Sequence, residues 1–249
     1  MVRRLVIPIA LALLATPVAA QNRDFLFSHP RVTLAVRFGM AAPTAESEIF
    51  DFTAEEFWRR GTERPVGRSD FNAFSIEGEL AVRVHDRVDV ALGVGHNQSE
   101  TPSEFQHWVG TDDLPIEQRT KFARTAVTFG VKGYLRDRGR EISRFAWVPH
   151  GWAPYVAAGG GVMAYEFTQA GEFVDYETTD VFGHTYTSDG ATPAAYAGAG
   201  LEISLGRHLL ATTEARYLWA KSELSQAFVD FDEIDLSGGQ LTLGLAFRF

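Results

Sequence analysis

The chain has 249 residues, with 23 Lys plus Arg against 32 Asp plus Glu, a formal net charge of −9 and no cysteine. A chain this acidic lacks the basic face that phosphate binding needs, so nucleic acid is not expected as a partner. The lack of cysteine excludes disulfides, thiolate metal sites and a lipid-modified N-terminal cysteine, and we expect no cofactor.

The first 20 residues have the three-part layout of a secretory signal peptide. Arg3 and Arg4 precede an apolar run over 5–14, and small residues at 17–20 supply a cleavage position before Gln21. A transmembrane anchor is the alternative, but the run is shorter than the roughly 20 residues that span a bilayer. We predict a signal peptide over 1–20 and a single mature domain over 21–249.

Eight later segments alternate large apolar residues with small or polar ones. Successive side chains of a strand point to opposite faces, so each segment predicts a strand with one apolar face. In chain order the segments are about 32–40, 74–85, 88–95, 123–135, 154–165, 194–205, 209–219 and 239–249. Short turns follow the second and sixth segments and long connections the first, third, fifth and seventh, as in membrane barrels with turns on one side and loops on the other.

One connection departs from this scheme. The segment 136–153, between the fourth and fifth strands, is long for a turn. It could hold a further strand pair, which would make ten strands instead of eight.

The first long connection is rich in aromatic residues. Thr53 with Glu56 three residues later has the spacing of a capping box and predicts a short helix that begins at Thr53. Phe57 and Trp58 would then cover the barrel mouth or touch lipid headgroups, with ligand recognition as the alternative role.

The third and fourth connections, about 168–190 and 222–235, carry acidic residues and no Lys or Arg. The acids are Glu172, Asp175, Glu177, Asp180, Asp189, Glu223, Asp230, Asp232, Glu233 and Asp235. Such oxygen ligands could hold Ca²⁺ or Mg²⁺ and bridge to lipopolysaccharide phosphates. The other interpretation is a pair of solvated loops, and 230–235 lacks the glycine turn of a calcium loop.

The closing strand places Leu241, Leu243, Leu245, Phe247 and Phe249 on one face. An apolar edge like this would invite aggregation in water but suits a strand that closes a barrel in lipid. The pattern resembles the last strand of bacterial outer-membrane β-barrels, which typically ends on Phe. By that resemblance, these five residues are the signal read by the barrel assembly machinery.

Charged residues are confined to the opposite face of the strands. A soluble lipocalin-type barrel is the alternative, with this polar face outside, but the signal peptide, the terminal Phe and the glycine-rich strands favour a membrane barrel. The predicted polar plug of the interior consists of Arg37, Glu77, Glu79, Arg83, Arg124, Lys132, Glu202, Glu214, Arg216 and Arg248. A buried charge must be paired or hydrogen-bonded, and the basic and acidic members of this set can pair with one another; an ion or proton path is the alternative.

The chain as a whole resembles the small outer-membrane barrel superfamily of the OmpA, OmpX and OmpW kinds. The resemblance rests on the closing strand, on the Pro-Tyr-Val stretch with its glycines over 154–161, and on Glu214-Ala215-Arg216-Tyr217. It implies a single closed antiparallel up-and-down all-β barrel, most simply of eight strands, in the outer membrane of a Gram-negative bacterium. Outer-membrane lipid and lipopolysaccharide would be its surroundings, and a small hydrophobic molecule is one ligand that it could take.

The sequence favours a non-enzymatic barrel with a structural or passive role, which could bind or pass small hydrophobic molecules. Adhesion or divalent-cation bridging through the acidic loops is the second hypothesis. A lipid A-modifying enzyme is a third hypothesis. Such an enzyme needs a serine that is activated by a histidine. His96 and Ser99 have the right side chains, but three residues apart on a strand they are predicted to point to opposite faces.

Overall fold

The structure is a computed structural model that describes residues 25–110, 113–228 and 231–249. The predicted signal peptide over 1–20 lies outside the described residues. The helical segments are α1 (Glu48–Glu56) and two 3₁₀ turns, Arg68–Phe71 and Gln226–Phe228. The strands are β1 (Val32–Pro43), β2 (Phe57–Arg59), β3 (Ala73–His85), β4 (Val88–Val109), β5 (Pro115–Tyr134), β6 (Gly139–Ser143), β7 (Ala146–Pro149), β8 (Trp152–Val174), β9 (Val181–Ser204), β10 (Leu209–Trp219), β11 (Lys221–Ser222), β12 (Ile234–Asp235) and β13 (Gly238–Arg248).

Eight of these strands form a closed antiparallel ring in the order β1, β3, β4, β5, β8, β9, β10, β13. The ring closes where β13 pairs with β1, with Leu34 opposite Phe247 and Met40 opposite Leu241. The Phe249 amide donates to the carbonyl of Val32 at 2.9 Å, so the two strands pair as far as the last residue. The predicted eight-stranded barrel is confirmed.

The segment 136–153 does contain a strand pair, but that pair does not join the ring. β6 and β7 form a separate two-stranded sheet. Trp147 of this hairpin bridges to Leu26, is 3% exposed, and lies 5.3 Å from the guanidinium of Arg248. The hairpin therefore packs at the end of the barrel that carries the short turns and the chain's C-terminus, which we call the turn end, and the ten-stranded alternative is wrong.

The outer wall carries an apolar belt, which we define by its outward side chains. Each is 41–68% exposed in the isolated chain: Leu34, Val36, Phe38, Met40, Phe74, Ile76, Leu80, Val82, Leu92, Val94, Val127, Phe129, Val131, Val156, Val162, Leu241, Leu243, Leu245 and Phe247. An apolar surface of this extent is rare on a soluble monomer, whereas a membrane barrel carries such a band on its lipid face.

The barrel is much taller on one side than on the other. β4, β5, β8 and β9 have 20–24 residues, whereas β1, β3, β10 and β13 have 11–13. The sequence prediction made these four strands too short, because it ended β4 and β8 too early and began β5 and β9 too late, and most of the predicted third loop is strand. Beyond the belt the outward residues become polar, as with His96, Glu100 and Lys121, so the apolar alternation that indicated a strand disappears while the strand pairing continues.

The helix of the first connection begins earlier than the predicted capping box. It starts after Ser47, and Thr53 lies inside it, where its hydroxyl donates to the carbonyl of Ile49 at 2.7 Å. Ile49 and Phe50 are buried. Burial of these two side chains, rather than the Thr53–Glu56 spacing, decides where the helix begins.

No helix among the described residues is both long enough and apolar enough to cross a bilayer.

Candidate functional site

An ion-pair cluster fills the barrel interior, and seven of the ten predicted plug residues form it. They are Arg37, Glu77, Glu79, Lys132, Glu202, Glu214 and Arg216, each at most 8% exposed. The strand register makes room for these long side chains. Arg37 lies opposite Gly244, Glu79 opposite Gly93 and Glu214 opposite Gly200, so a charged inward residue repeatedly faces a residue without a side chain.

Arginine and lysine groups link the carboxylates of the cluster. The Nη2 atom of Arg37 lies 2.9 Å from Oε1 of Glu77 and 2.8 Å from Oε2 of Glu79. Nη2 of Arg216 lies 2.7 Å from the same Glu77 oxygen. Nζ of Lys132 continues the chain to Glu79 at 2.8 Å and to Glu202 at 3.3 Å.

Two tyrosines complete the cluster. The Tyr155 hydroxyl donates to Glu214 at 2.7 Å, and the Tyr134 hydroxyl donates to Glu202 at 2.9 Å. Three cations thus serve four carboxylates, with phenol hydrogen bonds taking up further acceptor sites. Pairing of this kind offsets much of the cost of burying charges.

The other three predicted plug residues are placed elsewhere. Arg83 lies at the turn end, where it pairs with Asp86 at 2.7 Å. Arg124 donates to the backbone carbonyls of Leu236 at 2.7 Å and Ser237 at 3.1 Å. Arg248 donates to the carbonyls of Arg207 and Gly206 in the β9–β10 turn. These three lie near the ends of the barrel and do not join the ion-pair cluster: Arg83 pairs with a turn carboxylate, and Arg124 and Arg248 are hydrogen-bonded to loop and turn carbonyls.

A further interior ion pair was missed from the sequence. Arg138, in the turn after β5, reaches inward and holds Asp89 with two hydrogen bonds of 2.7 and 2.8 Å. Alternation could not reveal Arg138, because it belongs to no barrel strand. Asp89 lies opposite Arg83 and Lys132 in the strand register, so alternation alone would have assigned one of these two as its partner.

The opposite end of the barrel, the loop end, is closed by an aromatic cap. We define the cap as Phe50, Phe71, Phe122, Phe167 and Phe228, all at most 5% exposed. The ring of Phe50 packs edge-on against Phe71, Phe122 and Phe167 at centroid distances of 5.0, 5.4 and 5.8 Å. Edge-to-face packing is the favoured arrangement of such rings. Helix α1 is thereby fixed across the mouth.

The predicted mouth residues take different positions around this cap. Phe57 is buried on β2 and packs against Phe105 at a centroid distance of 4.3 Å, whereas Trp58 is only partly buried. The sequence prediction missed the cap itself. Alternation could have identified it, because residues two apart on a strand point to the same face. Phe122 therefore points inward with Arg124, and Phe167 points inward with Tyr165.

Between the ion-pair cluster and the cap lies a cavity of about 20 Å³. Ala41, Asn97, Met163 and Gln240 line it, together with Arg216 of the cluster. A space of this size holds about one water molecule.

The two residues of the proposed hydrolase pair lie on opposite sides of β4. His96 is exposed on the outer face, where its Nδ1 contacts the Thr125 hydroxyl at 2.9 Å, and Ser99 is 7% exposed on the inner face. The two side chains do not meet.

The acidic residues of the loop end do not assemble into a metal site in the part of the chain that the structure describes. Glu46, Glu48, Asp51, Asp232 and Glu233 line a cleft beside α1. Within the described ranges, no group of three or more His, Asp or Glu side chains is arranged to hold a metal ion.

Asp70 organises the segment between β2 and β3. Its side chain is 3% exposed and accepts hydrogen bonds from Arg64 at 2.6 Å, the Gly67 amide at 2.9 Å and Arg59 at 3.1 Å. Burial acts to raise the pKa of Asp70, but these donors outweigh it and hold the pKa below its ordinary value.

Replacing Asp70 by asparagine is expected to destabilise this segment by about 1–2 kcal/mol, the low end for bonds to a charged group, because both guanidiniums are half exposed. Trypsin should then cleave the folded protein faster at Arg59–Arg68. Glu46→Gln, which removes only the exposed pair with Arg68, is the matched control and should leave the cleavage rate unchanged.

The same contact has a defined pH dependence. Because the folded-state pKa of Asp70 is lowered, its stabilising effect is present above the ordinary Asp pKa near 4 and is lost as the pH falls through the lower folded value. Hydrogen exchange at the Gly67 amide, corrected for intrinsic rates, should show less protection at pH 2 than at pH 6. Equal protection at the two values would contradict this role of Asp70.

No protein-family model and no curated protein matches the sequence. Solved structures do match in fold. Neisserial surface protein A is 10% identical, with a TM-score of 0.50, over 88% of this chain and 96% of its own. OprG from Pseudomonas aeruginosa is 12% identical, with a TM-score of 0.48, over 90% and 99%. The Escherichia coli outer membrane protease OmpT is 12% identical, with a TM-score of 0.36, over 93% and 100%. At these identities the likeness concerns the fold, which is that of small outer-membrane β-barrels.

Proposed function

We propose that this chain is a non-enzymatic integral outer-membrane barrel that works as a closed scaffold: it anchors a rigid loop-end head in the membrane and conducts nothing. The observation that carries the proposal is that the interior is filled in successive layers. The β6–β7 hairpin packs at the turn end, the ion-pair cluster fills the middle, and the aromatic cap covers the loop end. The cavity between the cluster and the cap has room for about one water.

Passage of small hydrophobic molecules receives less support from this interior. An apolar solute entering at the loop end would have to displace rings that are at most 5% exposed, and would then meet buried charges. Desolvating a charge without a new partner is costly, so the cluster opposes an apolar solute as well as a free ion. We do not propose divalent-cation bridging, because among the described residues the acids of the cleft do not form a group that could hold a metal ion.

Placement in the outer membrane is supported by the apolar belt and by the predicted signal peptide. Outer-membrane fractions of cells that express the chain should contain it in a heat-modifiable form, with an electrophoretic mobility that changes on boiling. A band that does not shift, or one found in the soluble periplasmic fraction, would contradict the proposed location.

Conductance measurements test the closed state directly. The folded protein in planar bilayers is expected to give no current steps above those of the empty bilayer, because the charged side chains of the ion-pair cluster, each at most 8% exposed, fill the middle of the barrel. Liposomes containing the protein should likewise take up an apolar fluorescent probe no faster than empty liposomes. A large porin prepared in the same way is the positive control, and heat-modifiable mobility verifies folding. Discrete current steps, or probe uptake above that of empty liposomes, would refute the closed scaffold.

A further inference from the structure

The arginines at the two ends of the barrel differ in how many of them form ion pairs. At the loop end, each of Arg59, Arg60, Arg64, Arg68 and Arg119 forms an ion pair with a carboxylate. At the turn end, within the described residues, five arginines form no such pair: Arg31, Arg136, Arg140, Arg144 and Arg207. The loop-end arginines named above are therefore neutralised, whereas five of those at the turn end are not.

The acids at the turn end are already engaged. Asp86 pairs with Arg83, Asp137 with Arg87, and Asp89 with Arg138, while Glu141 lies 3.5 Å from His29. Among the described acids of this end, only Glu141 and the C-terminal carboxylate of Phe249 have no arginine or lysine partner, so these two could compensate at most two of the five arginines. An uncompensated positive charge of this size, on a chain whose net charge is −9, indicates an anionic partner at this end.

Three of the unpaired arginines lie at the rim of the apolar belt, and we call Arg31, Arg136 and Arg207 the rim arginines. Arg31 directly precedes β1, and Arg207 lies two residues after Leu205, which is 57% exposed. The guanidinium of Arg136 lies 4.5 Å from the ring centre of Trp152, which is 51% exposed on the outer wall. Tryptophan at the edge of an apolar band is typical of the level of the lipid headgroups.

The tip of the β6–β7 hairpin repeats this combination of arginine and exposed apolar residues. Ile142 is 60% and Phe145 is 64% exposed, with Arg140 and Arg144 beside them. A tip of this composition is suited to a surface that is anionic outside and apolar beneath.

We propose that the rim arginines bind the phosphodiester headgroups of anionic phospholipids in the membrane leaflet at the turn end. This inference rests on the proposed membrane location of the barrel. Guanidinium groups form paired hydrogen bonds with phosphate oxygens, and an arginine near an anionic lipid surface contributes about 1 kcal/mol. The location of the rim arginines favours a lipid headgroup over a soluble acidic protein as their partner, because these arginines adjoin the last outward apolar residues of the wall.

The test measures the lipid shell of the full-length folded chain. The protein is reconstituted in phosphatidylcholine containing a minor fraction of spin-labelled phosphatidylglycerol, and the association of that lipid is compared with that of spin-labelled phosphatidylcholine. We expect phosphatidylglycerol to be preferred at the rim by about fivefold per site, the factor that corresponds to about 1 kcal/mol. The ratio of phosphatidylglycerol association to phosphatidylcholine association should fall toward 1 in 1 M salt, where the screening length is about 3 Å.

The variant Arg31→Gln, Arg136→Gln, Arg207→Gln should lose the preference, and the corresponding Arg→Lys variant should retain most of it. The variant Arg60→Gln, Arg68→Gln, Arg119→Gln removes the same charge at the loop end and should behave like the wild type. If the glutamine variant does not show heat-modifiable mobility, Arg207→Gln alone is used, because the side chain of Arg207 is exposed and forms no hydrogen bond or ion pair within the described residues.

Three outcomes would overturn the proposal: no preference in the wild type, an unchanged preference in the rim variant, or an equal loss in the loop-end control. A rim variant that keeps its lipid preference but no longer sediments with purified cell-wall polymer would assign these arginines to that polymer instead. Bilayer conductance of the same preparations reports on the closed scaffold separately, so the two proposals can fail independently.

Discussion

Replacing Arg37 by methionine is expected to lower the free energy of unfolding of the barrel by about 3–5 kcal/mol, the cost of breaking a buried ion pair from one side. Arg37 is fully buried and links Glu77 to Glu79. Without it, two cations would have to serve four carboxylates inside a filled barrel. Urea unfolding in lipid vesicles, followed by gel mobility, measures the change.

A matched control and a compensating variant separate this electrostatic effect from a loss of packing. Arg119→Met removes an arginine whose pair with Glu100 is exposed, and should cost no more than about 1 kcal/mol. Adding Glu77→Gln to Arg37→Met should restore part of the lost stability, because one carboxylate fewer is left without a cation. If Arg37→Met costs less than Arg119→Met, the ion-pair cluster does not stabilise the barrel.

Deleting Phe249 is expected to reduce the amount of folded barrel in the outer membrane several-fold, while purified protein still folds in vesicles and loses only the stability due to the terminal backbone hydrogen bonds with Arg31 and Val32. The ring is 58% exposed and lies on the outer wall, so little packing is lost. What the resemblance to outer-membrane barrels assigns to this residue is recognition by the assembly machinery. Quantitative blotting of membrane fractions, together with vesicle refolding, separates the two effects.

Two substitutions test whether the effect of the deletion is due to the aromatic ring at the C-terminus. Phe249→Ser keeps the backbone bonds between the last residue and Val32 and should show the same loss in cells. Phe129→Ser removes an equally exposed outward ring from the middle of β5 and should assemble normally. Normal assembly after the deletion would reduce Phe249 to ordinary lipid-facing packing.

The strand pattern could be predicted where the wall faces lipid, because there an apolar residue is required at every second position. Val36 and Leu243 illustrate the regular part. Above the belt that requirement ends, and the extensions of β4, β5, β8 and β9 are maintained by backbone pairing and by inward rings such as Phe167, which outward alternation does not report.

The interior could be predicted only in part, for a related reason. Alternation identifies which residues point inward, and so it found Arg37, Glu79 and Lys132. It does not report the height of a residue along the barrel axis, and this height decides which groups a side chain can reach. Arg124 lies eight residues from Lys132 on the same strand, and it binds loop carbonyls rather than carboxylates of the cluster. Contributions from turns, such as that of Arg138, depend on chain reversals that have no periodic signature.

The tall side also makes this chain a candidate for epitope display. From Ala164 to Val174, β8 rises roughly 25 Å above the belt, given the usual rise per residue and strand tilt. The connection 175–180 joins β8 to β9 at the top of this wall, and the eight-stranded ring closes without it. A peptide inserted there would stand clear of the membrane surface, where an antibody could reach it, and every strand pair of the ring would be left in place.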